Sequence, residues 1–284
     1  MATLRAHPAF EAAAASSMHG SIDLHRGGGL SNWILSDRAR AAFGHALLYL
    51  HATARPDDPR SGLTAARVKE LTVETGLCSA GRAAAMLALM RVAGYVAAAP
   101  SAEDRRIRRL VPTEKLFGMQ RARLHRQFES LAIVLPAARD VLPLLGRPDF
   151  ERALARAIGR QFVSGFRILA ATPDLVPFAE RSAGMVVLFS RLLATETGGS
   201  FVVDRPVATS IAELSRRLRV SRTQILRLLR DAEESGLLAR LGPSYETIVV
   251  RPKLKQDLLT MLAAMFEFLA DAASAAMAAT ERAA

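Results

Sequence analysis

A single cysteine, Cys78, among 284 residues excludes an internal disulfide framework and a cysteine-based zinc site, and it points to a reducing compartment. Lysine is nearly as scarce: Lys69, Lys115, Lys253 and Lys255 are the whole set. Long uncharged apolar runs are missing too. The nearest approach, Leu258 to Thr280, carries Glu267 and Asp271 among many alanines and reads as a packed helix of a soluble protein. The start of the sequence lacks the series of charged segment, apolar core and small-residue cleavage site, so the expectation is a cytoplasmic protein with no membrane partner.

Catalytic and cofactor signatures are also lacking. His7, His19, His25, His45, His51 and His125 show no HExxH spacing, and none falls near Cys78 in a metal-ligand rhythm. Most of them read as surface residues, and Cys78 reads as packing in an apolar turn. Gly27, Gly28 and Gly29 have no preceding strand and no following Lys-Ser/Thr, which argues against a phosphate-cradling loop. With no nucleophile elbow either, neither an enzyme nor a bound cofactor is expected.

What is abundant is apolar material and arginine. A 50% apolar composition supplies cores for two domains of ordinary size. The net charge of +11 comes with 34 arginines, whose planar fork suits phosphate and guanine. GC-rich codons would enrich arginine and alanine equally, so charge alone identifies no nucleic-acid binder.

Residues 1–30 mix an alanine run, histidines and glycines without a periodic strand or a capped helix, and read as a flexible arm. Helical spacing follows from Ser36 to about Ala54, from Leu63-Thr64 to Gly76, and from Ser79 to Gly94. Tyr95–Ala98 and Arg106–Leu110 flank a polar turn and predict a short hairpin. A long helix, Thr113 to Leu135, comes next. Pro136, Pro143 and Pro148 then divide shorter helical pieces, the last running from about Phe150 to Ala171.

The order recurs: a helix from Phe178 to Thr195, an apolar run Phe201-Val202-Val203, helices Ser210–Leu218 and Ser221–Ser235, a hairpin of Leu237–Leu241 with Glu246–Val250, and a final helix opened by Pro252. Ser79 and Ser221, Gly94 and Gly236, and Ala97 and Ala239 all lie 142 residues apart, so the chain reads as an internal duplication.

Ser210 to Arg230, IAELSRRLRVSRTQILRLLR after its opening serine, resembles the helix-turn-helix of bacterial winged-helix regulators. Ala212 is small where two helices would cross, Leu214 and Leu218 face a core, Val220 fills the turn, and Ser221 caps the next helix. Ile225, Leu229, Ala232 and Gly236 fall on one side of that helix, leaving Thr223, Arg227 and Arg230 pointing away. Ser221 and Arg222 sit where free backbone N–H groups meet phosphate. Gln224 suits adenine and Arg227 suits guanine. An arginine-rich solvated face on an ordinary helix is the plain alternative.

The first copy, through Ser101-Ala102-Glu103-Asp104-Arg105-Arg106-Ile107-Arg108-Arg109-Leu110-Val111-Pro112-Thr113-Glu114, resembles the MarR family more specifically, although the glycine of that family's next helix start is absent. The resemblance covers about Ser36 to Leu135, and in the second copy Phe178 to Met277. It implies double-stranded DNA as partner, often with a small-molecule effector, and dimerisation through the helices after the wings. Glu129, Arg139 and Asp140 are the candidates for lining an effector cavity, and Trp33 for a packing anchor.

In the first copy, Ser79 and Arg82 occupy the cap and first turn, while Arg105, Arg106, Arg108 and Arg109 suit phosphate or minor groove, Arg106 and Arg108 on one strand face. Gly81, Ala85 and Ala88 replace Thr223, Arg227 and Arg230, so base reading there should be weak.

The expected fold is mainly α with small β-hairpin wings, a tandem winged helix-turn-helix. Its divisions are a flexible arm 1–30, a first winged-helix domain 31–135, a helical connector 136–177 and a second winged-helix domain 178–284. The expected function is transcription regulation through duplex DNA, as an intrachain pseudo-dimer or a homodimer. The alternatives are a plasmid or phage replication initiator and a protein-interaction scaffold.

Overall fold

The structure, a computed structural model, describes residues 2–26, 38–55, 57–58, 61–99 and 108–283. Expectations placed on Gly27–Gly29, Trp33, the Ser36-Asp37 cap, and Arg105 and Arg106 lie outside these residues.

The chain is mainly helical, with small antiparallel sheets. A single turn α1 (Ala2–Arg5) leads to α2 (Phe10–Arg26), α3 (Arg38–Ala52), α4 (Ala65–Glu74) and α5 (Ala80–Val92). The hairpin β1 (Val96–Ala98) and β2 (Leu110–Pro112) precedes α6 (Glu114–Leu131). After a 3-10 segment (Pro136–Leu144) come α7 (Pro148–Val163), a 3-10 turn (Pro173–Leu175), α8 (Val176–Ala179) and α9 (Gly184–Leu193). The hairpin β3 (Glu196–Thr197) and β4 (Ser200–Phe201) is followed by β5 (Pro206–Ala208), α10 (Ile211–Leu218) and α11 (Arg222–Glu234). Strands β6 (Leu238–Arg240) and β7 (Thr247–Val250) then lead into α12 (Pro252–Glu281).

Four helix starts are set by short polar side chains. The hydroxyls of Thr64, Ser79, Ser210 and Ser221 accept from the amides of Arg67, Arg82, Glu213 and Gln224, each supplying a partner for one of the first-turn N–H groups.

The chain packs as two compact units, each drawn from three segments: unit one from residues 1–37, 126–139 and 168–267, unit two from 38–125, 140–167 and 268–284. These do not follow the contiguous divisions expected at 30, 135 and 177.

In unit one, α2 packs on α9, α10 and β4, burying Phe10, Ala13, Ala14, Met18 and Ile22. The Phe10 ring meets Phe266 edge-on with centroids 6.2 Å apart, and the Ser17 hydroxyl donates to Gln127 Oε1 at 2.7 Å. The expected flexible arm is therefore corrected over Ala2–Arg26. An alanine-rich helix has a weak periodic signature, and its order comes from the surface it covers.

The expected single helix from Phe178 to Thr195 is also two, α8 and α9, parted by Ala183 in the left-handed region at φ 61°. A side chain on Gly184 would collide with the Phe178 carbonyl, so this break depends on glycine. Strand β5, absent from the sequence reading, joins β7 to make a three-stranded sheet in the order β5-β7-β6.

In unit two, α7 packs on α3, and α5 on α4 and β1. Helix α7 ends at Val163, short of the expected Ala171, because Phe166 N reaches back to the Gln161 carbonyl with Gly165 at φ 98°. The hairpin pairs Val96 with Pro112 and Ala98 with Leu110, so its second strand runs to Pro112, past the expected end at Leu110; Arg106 and Ile107 lie outside the described residues. Arg109 forms an isolated bridge to Thr64, which places Arg108 ahead of the hairpin strand.

Several elements recur at similar spacings along the chain. Helices α5 and α11 begin 142 residues apart, as do β1 and β6, and the turn bond from Tyr95 N to the Met90 carbonyl recurs from Leu237 N to Ala232. Helices α2 and α7 begin 138 residues apart, as do α6 and α12. The 138-residue spacing pairs α2 with α7, which lies in the stretch expected to be a connector. In each unit the covering helix, α2 or α7, comes from the other half of the chain.

Candidate nucleic-acid interface

The sharp turn from α10 to α11 is built from local bonds. Leu214 and Leu218 are buried beneath α10. Arg219 takes the left-handed conformation at φ 53° as C-cap, its amide bonding to the Ser215 carbonyl, and Val220 N reaches the same carbonyl at 3.2 Å. Ser221 then caps α11, its Oγ accepting from Gln224 N at 3.2 Å. Ile225, Leu228, Leu229 and Ala232 bury one face of α11. Gly236, expected on that face, is exposed as the left-handed residue after the helix, at φ 68°.

The opposite face presents Ser221, Arg222, Thr223, Arg227 and Arg230 to solvent, with Gln224 half-buried on the flank. Leu226 is exposed beside them. Thr223, Arg227 and Arg230 are three and four residues apart and so share one stripe of the helix.

A feature the sequence reading missed fixes the hairpin against this helix. Tyr245, buried in the β6–β7 turn, donates its hydroxyl to Glu233 Oε2 at 2.7 Å. Its pKa is pushed up to about 12, first by burial and then by the Glu233 carboxylate. Arg240 lies 3.5 Å from Glu233 and over the Tyr245 ring. The Tyr245 ring carried no periodic signal, since its partner Glu233 belongs to another element.

The corresponding face of α5 is different. Ser79 Oγ accepts from Arg82 N at 3.3 Å, and Arg82 is exposed, but the rest of the face is Gly81, Ala85 and Ala88, all exposed. Arg108 is exposed. Arg109, expected to reach a phosphate, instead donates from Nη2 to the Asp58 carbonyl at 2.7 Å and serves to hold the 57–58 turn.

The histidines expected at the surface divide. His7, His19 and His125 are exposed, while His25 is buried with its Nε2 at 3.0 Å from the Leu218 carbonyl. His45 lies beside Arg123, and burial with that neighbouring charge brings its pKa down to about 3. Cys78 is half-buried; Leu77 is the buried residue of that turn. Glu129 pairs with Arg126, and Arg139 and Asp140 are exposed. Among the described residues, no group of three or more His, Cys, Asp or Glu is placed to hold a metal ion. Helix α12 is long and apolar enough by length and composition to cross a membrane, and more than half of its most apolar stretch is packed inside.

No protein-family model matches the chain, and no curated protein or solved structure shows a significant match.

Proposed function

We propose that this protein is a cytoplasmic, sequence-specific double-stranded DNA-binding transcription regulator of MarR-like, tandem winged helix-turn-helix type. In this reading α10 and α11 form the second helix-turn-helix, with α11 as reader and the β6–β7 hairpin as wing. The observation that carries it is the exposed stripe Thr223, Arg227 and Arg230, with Arg222 exposed in the first turn, on a serine-capped helix followed at once by a hairpin tied back to the same helix.

Each part has a physical role. The Ser221 end of α11 offers backbone N–H groups and Arg222 to a phosphate. Arg227 and Gln224 are suited to bidentate pairing with guanine and adenine edges in the major groove, each worth about 1–3 kcal/mol of discrimination. The first copy, with Gly81, Ala85 and Ala88 on the equivalent face, adds affinity through Arg82 and Arg108 rather than base reading.

The test is selection of bound sites from a random duplex library with the full chain and with Arg222, Gln224 and Arg227 changed to alanine. The reading expects one enriched motif for the wild type and its loss in the variant. An identical motif in both, or none in the wild type, overturns it.

A further inference from the structure

Arg26 at the end of α2, Arg216 and Arg217 in the last turn of α10, and Arg219 at its C-cap line one open cleft of about 400 Å³ together with Asp23. Asp23 lies 3.8 Å from Arg26 on its own helix. Among the described residues, no ion pair engages Arg216, Arg217 or Arg219. The cleft thus gathers four guanidinium groups around one carboxylate.

Two further observations set its position and its charge. The buried His25 imidazole donates from Nε2 to the Leu218 carbonyl at 3.0 Å, pinning the end of α2 to the end of α10 and bringing Arg26 beside the other three. The Arg191 side chain is buried and donates to Thr209 Oγ1 at 2.9 Å, and the charges of Arg217 and, in the opposite sense, Glu213 both bear on it. Arg219 is two residues before Ser221, so the cleft adjoins the start of the reading helix.

The cleft is confined to one copy. The positions 142 residues before Arg216, Arg217 and Arg219 are Glu74, Thr75 and Leu77, and the position 138 residues after Arg26 is Ser164. The copy that carries base-reading side chains is also the one that carries this basic cluster.

We infer that this cleft binds a backbone phosphate of the DNA strand flanking the bases read by α11, so that α2, a helix from the other half of the chain, completes the DNA-binding surface. This rests on the regulatory reading above. Arginine forks grip phosphate oxygens bidentately, and such contacts fix register without reading sequence.

The experiment measures duplex affinity of the full chain against salt, on the selected site and on a scrambled one. The variants are Arg26→Gln with Arg219→Gln, and Arg26→Lys with Arg219→Lys. The glutamine pair should lose roughly tenfold affinity on both duplexes alike, flatten the slope of log K against log salt by about 2, and leave the selected motif unchanged. The lysine pair should recover most of the slope, and its folding serves as the control. A glutamine pair with wild-type affinity and slope overturns the cleft and leaves base reading intact. A wild type that binds no duplex overturns the regulatory reading and the inference with it. Inorganic pyrophosphate titrated into each protein supplies the last arm: binding lost in the glutamine pair, with an unchanged duplex slope, assigns the cleft to a free phosphate ligand and overturns the DNA assignment.

Discussion

The Tyr245 hydroxyl donates to the Glu233 carboxylate at 2.7 Å, and this bond joins the tip of a hairpin to the last turn of the helix it follows. Replacing Tyr245 with phenylalanine keeps the ring and removes the bond. Because the bond ends on a charged acceptor, the expected loss is about 1.5–3 kcal/mol, less what the part-exposed Glu233 regains from water. Urea denaturation reads it directly.

The same pair sets a pH dependence. The folded pKa of Tyr245 is raised from 10.0 to about 12, so its contribution is complete below pH 10 and is lost as pH climbs toward 12. Stability of the wild type should fall across that window with a component that Tyr245→Phe lacks. Parallel melts of the two proteins between pH 9 and 12 check this, and curves of the same shape would dissociate Tyr245 from the effect.

His25 works in the opposite sense. Burial is the larger influence and lowers its pKa, with the Leu218 carbonyl partly opposing it. A lowered histidine favours the folded state above its ordinary value of 6.5, and that advantage drains away as pH falls below it. His45, at about 3, belongs to the same class. Proton titration by NMR should show the His45 ring neutral at pH 5, whereas a ring charged there would contradict its burial.

Met18 of α2 is fully buried. Met18→Ala should cost about 2–5 kcal/mol through the cavity it leaves. A neutral result in chemical denaturation would mean that residues 2–26 do not pack as described.

Gly159 of α7 faces Tyr49 of α3 so closely that an added Cβ would overlap the tyrosine ring. Gly159→Ala should therefore destabilise unit two by about 1–3 kcal/mol, against the usual helix gain from alanine. Thermal unfolding of the single variant decides the sign.

Much of the candidate site was legible because its determinants are local. A serine before an apolar-periodic stretch caps a helix wherever it folds, and the spacing of Ile225, Leu229 and Ala232 turns Arg227 and Arg230 outward without reference to any other element. The second hairpin was legible for the same reason, its strands meeting across a short glycine-containing turn. Strand β5 was not, since Pro206-Val207-Ala208 acquires strand character only by pairing with β7, some 40 residues away. The first hairpin's register escaped because its second strand is also held from a distant segment, Leu110 N donating to the Leu63 carbonyl and Arg109 bridging to Thr64.

The amino-acid sequence by itself determined the serine-capped helices α5 and α11, their offset of 142 residues and the unequal chemistry of their exposed faces, all of which follow from side-chain type and helical period. Only the tertiary structure decided that α2 is a covering helix and that Arg26 shares a cleft with Arg216, Arg217 and Arg219. The physical reason is distance along the chain: an alanine-rich helix carries too little periodicity to announce its partner, and a cluster drawn from residues nearly 200 positions apart exists only once burial has chosen which surfaces meet.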